Sequence, residues 1–122
     1  DWQTAYVPAI LKNFYSKDSF YKNIKTVFFV HSLTDDVELD ASLLEQFNIR
    51  GNYKSLLEMA FENSDAIVLV GSEKNLLIEL EKKKELYSIF KNKPSTFIDT
   101  SLEIDFDWSN CFSKIESIIE KT

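Results

Sequence analysis

The sequence is poor in the residues that build metal centres, disulfides and phosphate-binding loops. Its 122 residues include one cysteine, one histidine and two glycines. A single cysteine, Cys111, excludes an internal disulfide and a thiolate metal cluster, and His31 alone cannot complete a Cys/His zinc site. Two glycines are too few for a glycine-rich dinucleotide or phosphate loop. We therefore expect no cofactor and no metal, and we expect Cys111 to be a buried structural thiol on a helix.

Positive charge and long apolar runs are also scarce. The chain has 14 Lys and Arg residues against 20 Asp and Glu, which gives a net charge of −6. No basic face for nucleic acid is visible, and no apolar run approaches the ~20 residues of a membrane span. No signal peptide opens the chain, so we expect a soluble, cytoplasmic protein without nucleic-acid or membrane partners. Residue 1 is Asp rather than Met, and we expect a processed product or a fragment with sequence missing before it.

The sequence does contain apolar runs typical of buried strands, alternating with amphipathic helix patterns. Strands are predicted at residues 26–30, 66–70 and 95–99, the first two buried on both faces. Helices are predicted from about residue 5 to 15, after an N-cap at Asn52, over 73–91 and over 109–121, the last with Phe112, Ile115 and Ile119 inward. Residues 32–51 are predicted to form either one helix or a loop with a helical turn. The alternation predicts one α/β domain over residues 1–122, with a parallel sheet and helices on both faces.

Several polar features have ordinary structural interpretations. The run of lysines at 82–84 follows Glu79 and Glu81, and we interpret it as an exposed ion-paired helix face rather than a binding site. Asp35 and Asp36 are interpreted as a solvated turn, with an acidic Mg²⁺ pocket of the receiver type as the alternative. The position of Trp2 on an apolar helix pattern favours a core residue over a ligand contact. For His31 the sequence favours a structural role and a binding role equally.

Three stretches carry a resemblance to a known family. Residues 1–12 read Asp-Trp-Gln-Thr-Ala-Tyr-Val-Pro-Ala-Ile-Leu-Lys, residues 26–33 form an apolar strand ending His-Ser-Leu, and residues 53–72 run from a helix through Ser-Asp-Ala into an apolar strand and Gly-Ser. The order and spacing over residues 1 to about 73 resemble those of starch and glycogen synthases. The final part of the chain is similar to short bacterial synthase-like proteins that match only the first domain of that family.

The resemblance implies a retaining glycosyltransferase built from two Rossmann-type domains. This chain would be the C-terminal part of the N-terminal domain, and the intact enzyme would transfer glucose from ADP-glucose to an α-1,4-glucan without an essential metal. By position, Gln3 matches a contact to the donor sugar, and His31 and Ser32 lie at the motif on the acceptor side. The implied substrate-binding residues are Asp1, Trp2, Gln3, Thr4, His31 and Ser32.

The departures from the family pattern concern catalysis. Ser32 stands in place of asparagine, Thr34-Asp35-Asp36 in place of an aromatic-glycine loop, and Glu73 in place of proline. The Lys-x-Gly-Gly loop is absent from this chain, as is the second domain with the catalytic carboxylate. We therefore predict no catalytic residue in this chain and no complete active site.

Two hypotheses about function remain open at the level of sequence. One is an enzyme-derived domain of a glucan synthase, and the other is a non-catalytic glucan-binding or partner-binding module on the same scaffold. Under either, a ligand is expected where residues 1–4 enter a helix and residues 31–33 leave a strand, because these ends share one edge of a parallel sheet. The sequence flanking residues 1 and 122 would distinguish the two hypotheses.

Overall fold

The structure is a computed structural model that describes residues 1–34, 36–100 and 107–122. A 3₁₀ turn at Trp2–Thr4 precedes the regular elements. In chain order these are α1 (Tyr6–Asn13), β1 (Val27–Val30), α2 (Ala41–Gln46), α3 (Leu56–Asn63), β2 (Ala66–Gly71), α4 (Glu73–Lys82), α5 (Lys84–Asn92), β3 (Ser95–Asp99) and α6 (Trp108–Glu120). Asp35 and most of the acidic stretch predicted after β3 lie outside the described residues.

The three strands form a parallel sheet in the order β1-β2-β3. Val27 pairs with Ala66 at one end of β1, and Gly71 pairs with Asp99 at the end of β3. The three predicted strands are thereby confirmed, as is the parallel α/β class. Because the strands are parallel, residues that follow β1, β2 and β3 meet at one edge, which we term the carboxyl edge, and the opposite one is the amino edge.

Helices cover both faces of the sheet. On one face α1, α3, α4 and α5 bury a core centred on Leu57, Met59 and Phe61 against Phe28 and Leu69. On the other face α6 packs on the sheet, and its buried members are Cys111 and Ile118. The prediction of helices on both faces is confirmed, and Cys111 is the buried thiol that was expected.

The packing of α6 and β1 corrects two expectations. Phe112 and Ile119 were predicted to face inward but are 59% and 47% exposed, whereas Ile118 is 3% exposed. Residues 111, 115 and 118 form one stripe with helical spacing, and 112 and 119 each lie one position beyond it, about 100° around the helix. Within β1, Val27 and Phe29 on the α6 face are only half-buried, so the strand is fully buried on one face alone.

The N-terminus of α3 lies three residues later than predicted. Asn52 is exposed and caps nothing, while the Ser55 side chain accepts a hydrogen bond from the Glu58 N–H. Asp36 assists, since its Oδ1 accepts the N–H of Leu57 at 3.1 Å. Serine at 55 with glutamate three residues on is the stronger capping signal, because Glu58 reaches back to the Lys54 N–H.

The helix predicted over 73–91 is two helices that meet at Lys83. The backbone there has φ −109° and ψ 83°, outside the helical region. Leu76 and Leu80 form the buried stripe of α4, and Leu86 and Phe90 form that of α5. Leu86 lies six positions after Leu80, and at about 100° per residue an unbroken helix would place the two on different faces. The break lets both stripes face one core.

Candidate functional site

The first residue of the sequence is bonded to the carboxyl end of β1. The main-chain nitrogen of Asp1 donates to the Phe29 carbonyl at 2.7 Å. The Asp1 carboxylate accepts the His31 N–H at 2.6 Å and lies 3.1 Å from His31 Nδ1 through its other oxygen. Two segments that were predicted to share an edge are thus joined by hydrogen bonds between residues 30 positions apart.

The Asp1 contact orients the only imidazole in the chain. The His31 side chain is 61% exposed, and its Nδ1 faces the Asp1 carboxylate. In the neutral ring, a proton on Nδ1 donates to that carboxylate, which leaves Nε2 as a hydrogen-bond acceptor. His31 therefore presents one ring nitrogen to solvent, while Asp1 serves mainly to hold the ring and the strand end.

The 3₁₀ turn after Asp1 directs two side chains outward. The Asp1 carbonyl accepts the Thr4 N–H at 3.0 Å and the Thr4 hydroxyl at 3.1 Å, so Thr4 is engaged in closing the turn. Trp2 is 38% exposed and is therefore not the core residue that its sequence position favoured. Gln3 is exposed, and its amide bonds to no residue in the described part of the chain. Of these four residues, Trp2 and Gln3 are available to a ligand.

The Ser32 side chain forms hydrogen bonds within the loop that follows β1. Its hydroxyl lies 2.9 Å from the Thr34 hydroxyl and accepts the Thr34 N–H at 3.3 Å. The neighbouring Leu33 is only 2% exposed and anchors the loop in the core. These contacts fix the backbone that leaves β1, and they leave the Ser32 hydroxyl with limited capacity for a ligand.

A cavity of about 240 Å³ opens beside this loop. Its second wall follows β2, where Gly71 adopts a φ of 143° and Ser72 caps α4 by accepting the Asn75 N–H. The sequence pattern predicted a turn at Gly71 and Ser72 and did not mark them as lining a cavity, although their place at the end of a buried strand was a signal. The lining residues are His31, Ser32, Leu33, Thr34, Gly71, Ser72, Asn75, Leu76 and Glu79.

An apolar cavity of about 470 Å³ lies at the same edge, on the α6 face of the sheet. It shares His31 with the polar cavity, so the imidazole stands between the two. Its lining residues are Phe29, His31, Val70, Ile98, Thr100, Trp108, Cys111, Phe112 and Ile115. We refer to residues 1–4, 31–34 and 71–75 together as the rim.

The described residues offer no metal site and no bilayer-spanning helix. No three carboxylate, imidazole or thiol side chains among them converge to hold a metal ion. Asp36, one half of the alternative Mg²⁺ pocket, instead binds the N–H groups of Val37 and Leu57. Across residues 1–34, 36–100 and 107–122 no helix is long and apolar enough to cross a membrane.

Comparison with known proteins gives a consistent family match. The profile of a family described as "Starch synthase catalytic domain" matches residues 1–83. Glycogen synthase of Clostridium perfringens (strain 13 / Type A) is 48% identical over 46 residues, which are 38% of this chain and 10% of that protein. Glycogen synthase of Desulfitobacterium hafniense (strain DSM 10664 / DCB-2) is 58% identical over 33 residues, 27% of this chain and 7% of that protein.

A further relative aligns with slightly more of the chain. Glycogen synthase of Clostridium kluyveri is 38% identical over 53 residues, 43% of this chain and 11% of that protein. The matched region thus spans about a tenth of the length of these curated relatives. No solved structure matches the chain significantly.

Proposed function

Because the chain belongs to the starch synthase catalytic domain family, we propose that residues 1–122 form part of the N-terminal Rossmann-type domain of a retaining glucosyltransferase. The intact protein would transfer glucose from a nucleotide-sugar, ADP-glucose by the family resemblance, to an α-1,4-glucan. The observation that carries the proposal is the pair of hydrogen-bond contacts between Asp1 and His31. It brings the two family motifs to one edge of the sheet, where open α/β sheets bind their ligands.

The groups available at the rim suit a sugar. Gln3 offers an amide donor and acceptor, and His31 offers Nε2, so both can pair with hydroxyl groups without a charge. Across the cavity, the N-terminus of α4 follows Ser72, and helix N–H groups there favour a phosphate. We propose that Gln3 and His31 recognise the sugar and that the phosphate lies near the start of α4. Asp1, Thr4 and Ser32 would position these groups. Trp2 supplies an exposed aromatic face beside Gln3.

The chain alone would not complete the reaction. The polar cavity, at about 240 Å³, is smaller than the ~300–1,000 Å³ of most ligand pockets, which is expected when only one wall of a cleft is present. Stabilising a glycosyl transition state requires groups on both sides of the reacting centre. We also propose a cytoplasmic location, since a chain with one cysteine forms no internal disulfide, the cross-link that is common in proteins of oxidising compartments.

A transfer assay tests the incomplete site. The 122-residue chain is incubated with radiolabelled ADP-glucose and glycogen, and label in the polymer is measured against a control without protein. We expect no incorporation above that control. Incorporation would show that this chain holds a full active site, and the proposed division of the cleft would be wrong. Binding of maltooligosaccharide with no affinity for ADP-glucose would instead favour the non-catalytic glucan-binding module.

A further inference from the structure

The apolar cavity on the α6 face of the sheet has protruding aromatic side chains beside its mouth. Trp108 is 64% exposed and Phe112 is 59% exposed, although both line the cavity. Their ring centroids lie 6.2 Å apart, with the ring planes tilted by 32°. The two rings therefore form one raised feature, which we term the aromatic ridge. A single patch of the surface carries this ridge next to a hollow of about 470 Å³.

The wall of the apolar cavity carries little charge, although the chain is acidic. None of its described lining residues is Asp, Glu, Lys or Arg, whereas the net charge of the chain is −6. The apolar surface continues onto the sheet, because Val27 and Phe29 of β1 are only half-buried on this face. A patch rich in aromatic rings and depleted of charge is typical of the centre of a protein–protein interface.

A patch that holds both a ridge and a hollow is complementary to itself. In a two-fold contact both copies present the same surface, so a residue that meets a second residue of the other copy is met by it in return. An axis close to Trp108 and Phe112 sets the ridge of each copy over the cavity of the other. The cavity lies within the ~300–1,000 Å³ of pockets that enclose small molecules, so it has room for an indole ring. We propose that two copies of this chain associate through this patch.

The size of the contact fits a weak dimer. An aromatic side chain hides ~150–250 Å² when it is buried, so the exposed parts of the two ridges amount to roughly 500 Å². With the cavity walls that the ridges cover, the contact totals about 1,000 Å², at the low end for specific interfaces, and we expect a dissociation constant of roughly 10–100 μM. The ridge belongs to α6, outside residues 1–83 that match the family, and the dimer is independent of the function proposed at the rim.

Sedimentation velocity on the 122-residue chain, from low micromolar to submillimolar concentration, tests the proposal. We expect the monomer to convert to a dimer as the concentration rises. Added salt should tighten the dimer, because it screens the repulsion between two copies of charge −6 and does not weaken an apolar contact. Trp108→Ser and Phe112→Ser should each raise the dissociation constant by about tenfold or more, since aromatic anchors at the centre of an interface dominate binding.

Ile119→Ser is the matched control, because it replaces another exposed apolar side chain of the same helix. Ile119 lies seven positions after Phe112, about 10 Å further along α6. This variant should keep the dissociation constant within about twofold, as expected for a residue outside the centre of the contact. Cooperative thermal unfolding of each variant verifies that the fold is retained.

Amide chemical-shift mapping locates the interface in the same samples. Raising the concentration should perturb residues 29–31, 98–100 and 108–115 and leave residues 119–122 unchanged. A monomer at every concentration, or a dimer that Trp108→Ser and Phe112→Ser leave intact, would overturn the proposal. Equal weakening by Ile119→Ser, or dissociation of the dimer by added salt, would do the same.

Discussion

Asp65 links α1 to the start of β1 at the amino edge of the sheet. Its carboxylate accepts the Thr26 N–H at 2.8 Å and the Lys12 ammonium at 2.8 Å, and its side chain is 11% exposed. Burial by itself raises the pKa of Asp65, but the hydrogen bonds from Lys12 and Thr26 and the charges of Lys12 and Lys25 outweigh it. The net pKa lies below the ordinary value. The charged form is therefore favoured by folding.

This shift predicts an acid-dependent loss of stability at one residue. A carboxylate with a depressed folded pKa contributes stability above its unfolded pKa of about 3.9, and the contribution disappears as pH falls through the folded pKa. Asp65→Asn should lower the free energy of unfolding by about 1–2 kcal/mol at pH 7, and the difference should shrink as the pH falls below the unfolded pKa and through the folded pKa. Urea unfolding at several pH values measures it. Glu116→Gln, an exposed control on α6, should stay within about 0.5 kcal/mol, and a pH-independent Asp65 difference would contradict the account.

The residues assigned to the site from the family resemblance include Asp1, Gln3 and His31. The structure joins Asp1 to His31 by hydrogen bonds, and the binding role of all three stays a prediction. Nothing in the sequence indicated that the Asp1 carboxylate binds His31, because that bond links residues 30 positions apart. Nor could the exposure of Trp2 be read from an apolar helix pattern, since the pattern does not show where the 3₁₀ turn ends.

Among the helices, the N-terminus of α3 allows a test by mutation of which residue is its N-cap, Asn52 as predicted or Ser55 as the structure shows. Ser55 accepts the Glu58 N–H, whereas Asn52 is exposed and caps no helix. Ser55→Ala should lower the free energy of unfolding by about 1 kcal/mol, because an N–H of the first turn loses its acceptor. Asn52→Ala is the matched control and should change it by less than about 0.5 kcal/mol. A larger loss of unfolding free energy for Asn52→Ala than for Ser55→Ala in chemical denaturation would show that Asn52 is the N-cap.

The packing of α6 gives a second test with neighbouring residues. Ile118 is 3% exposed and faces the sheet, and Ile119 is 47% exposed. Ile118→Ala should cost about 2–4 kcal/mol, since it removes buried methyl groups and leaves a cavity. Ile119→Ala should cost under about 1 kcal/mol, because the lost burial is partial and alanine favours a helix. Comparable losses in thermal unfolding of both variants would mean that the orientation of α6 differs from the one described.

Strands were predictable because their signal is local. The apolar runs at 26–30 and 66–70 are short and rich in β-branched and aromatic residues, which favours strands, and β1 and β2 occupy them. The break at Lys83 was harder to predict, since lysine favours helices and no proline or glycine marks the position. The signal that could have found it is the spacing of six positions between Leu80 and Leu86, which no single helical stripe accommodates.

For the molecule as a whole, the two edges of the sheet differ in chemistry. The carboxyl edge carries Gln3, His31 and the start of α4, which suit a nucleotide-sugar. The amino edge carries a cavity whose lining includes the cationic side chains of Lys12, Lys17 and Arg50. This cavity shares no described lining residue with the polar cavity at the carboxyl edge.

Amide chemical-shift mapping of the 122-residue chain, titrated with ADP-glucose, tests whether the rim binds the nucleotide-sugar. We predict perturbations at residues 1–4, 31–34 and 71–75. Gln3→Ala and His31→Ala should each weaken binding by no more than about tenfold, the value of one hydrogen bond of ~0.5–1.5 kcal/mol. Perturbations confined to the lysine run at 82–84, with the rim silent, would contradict the account.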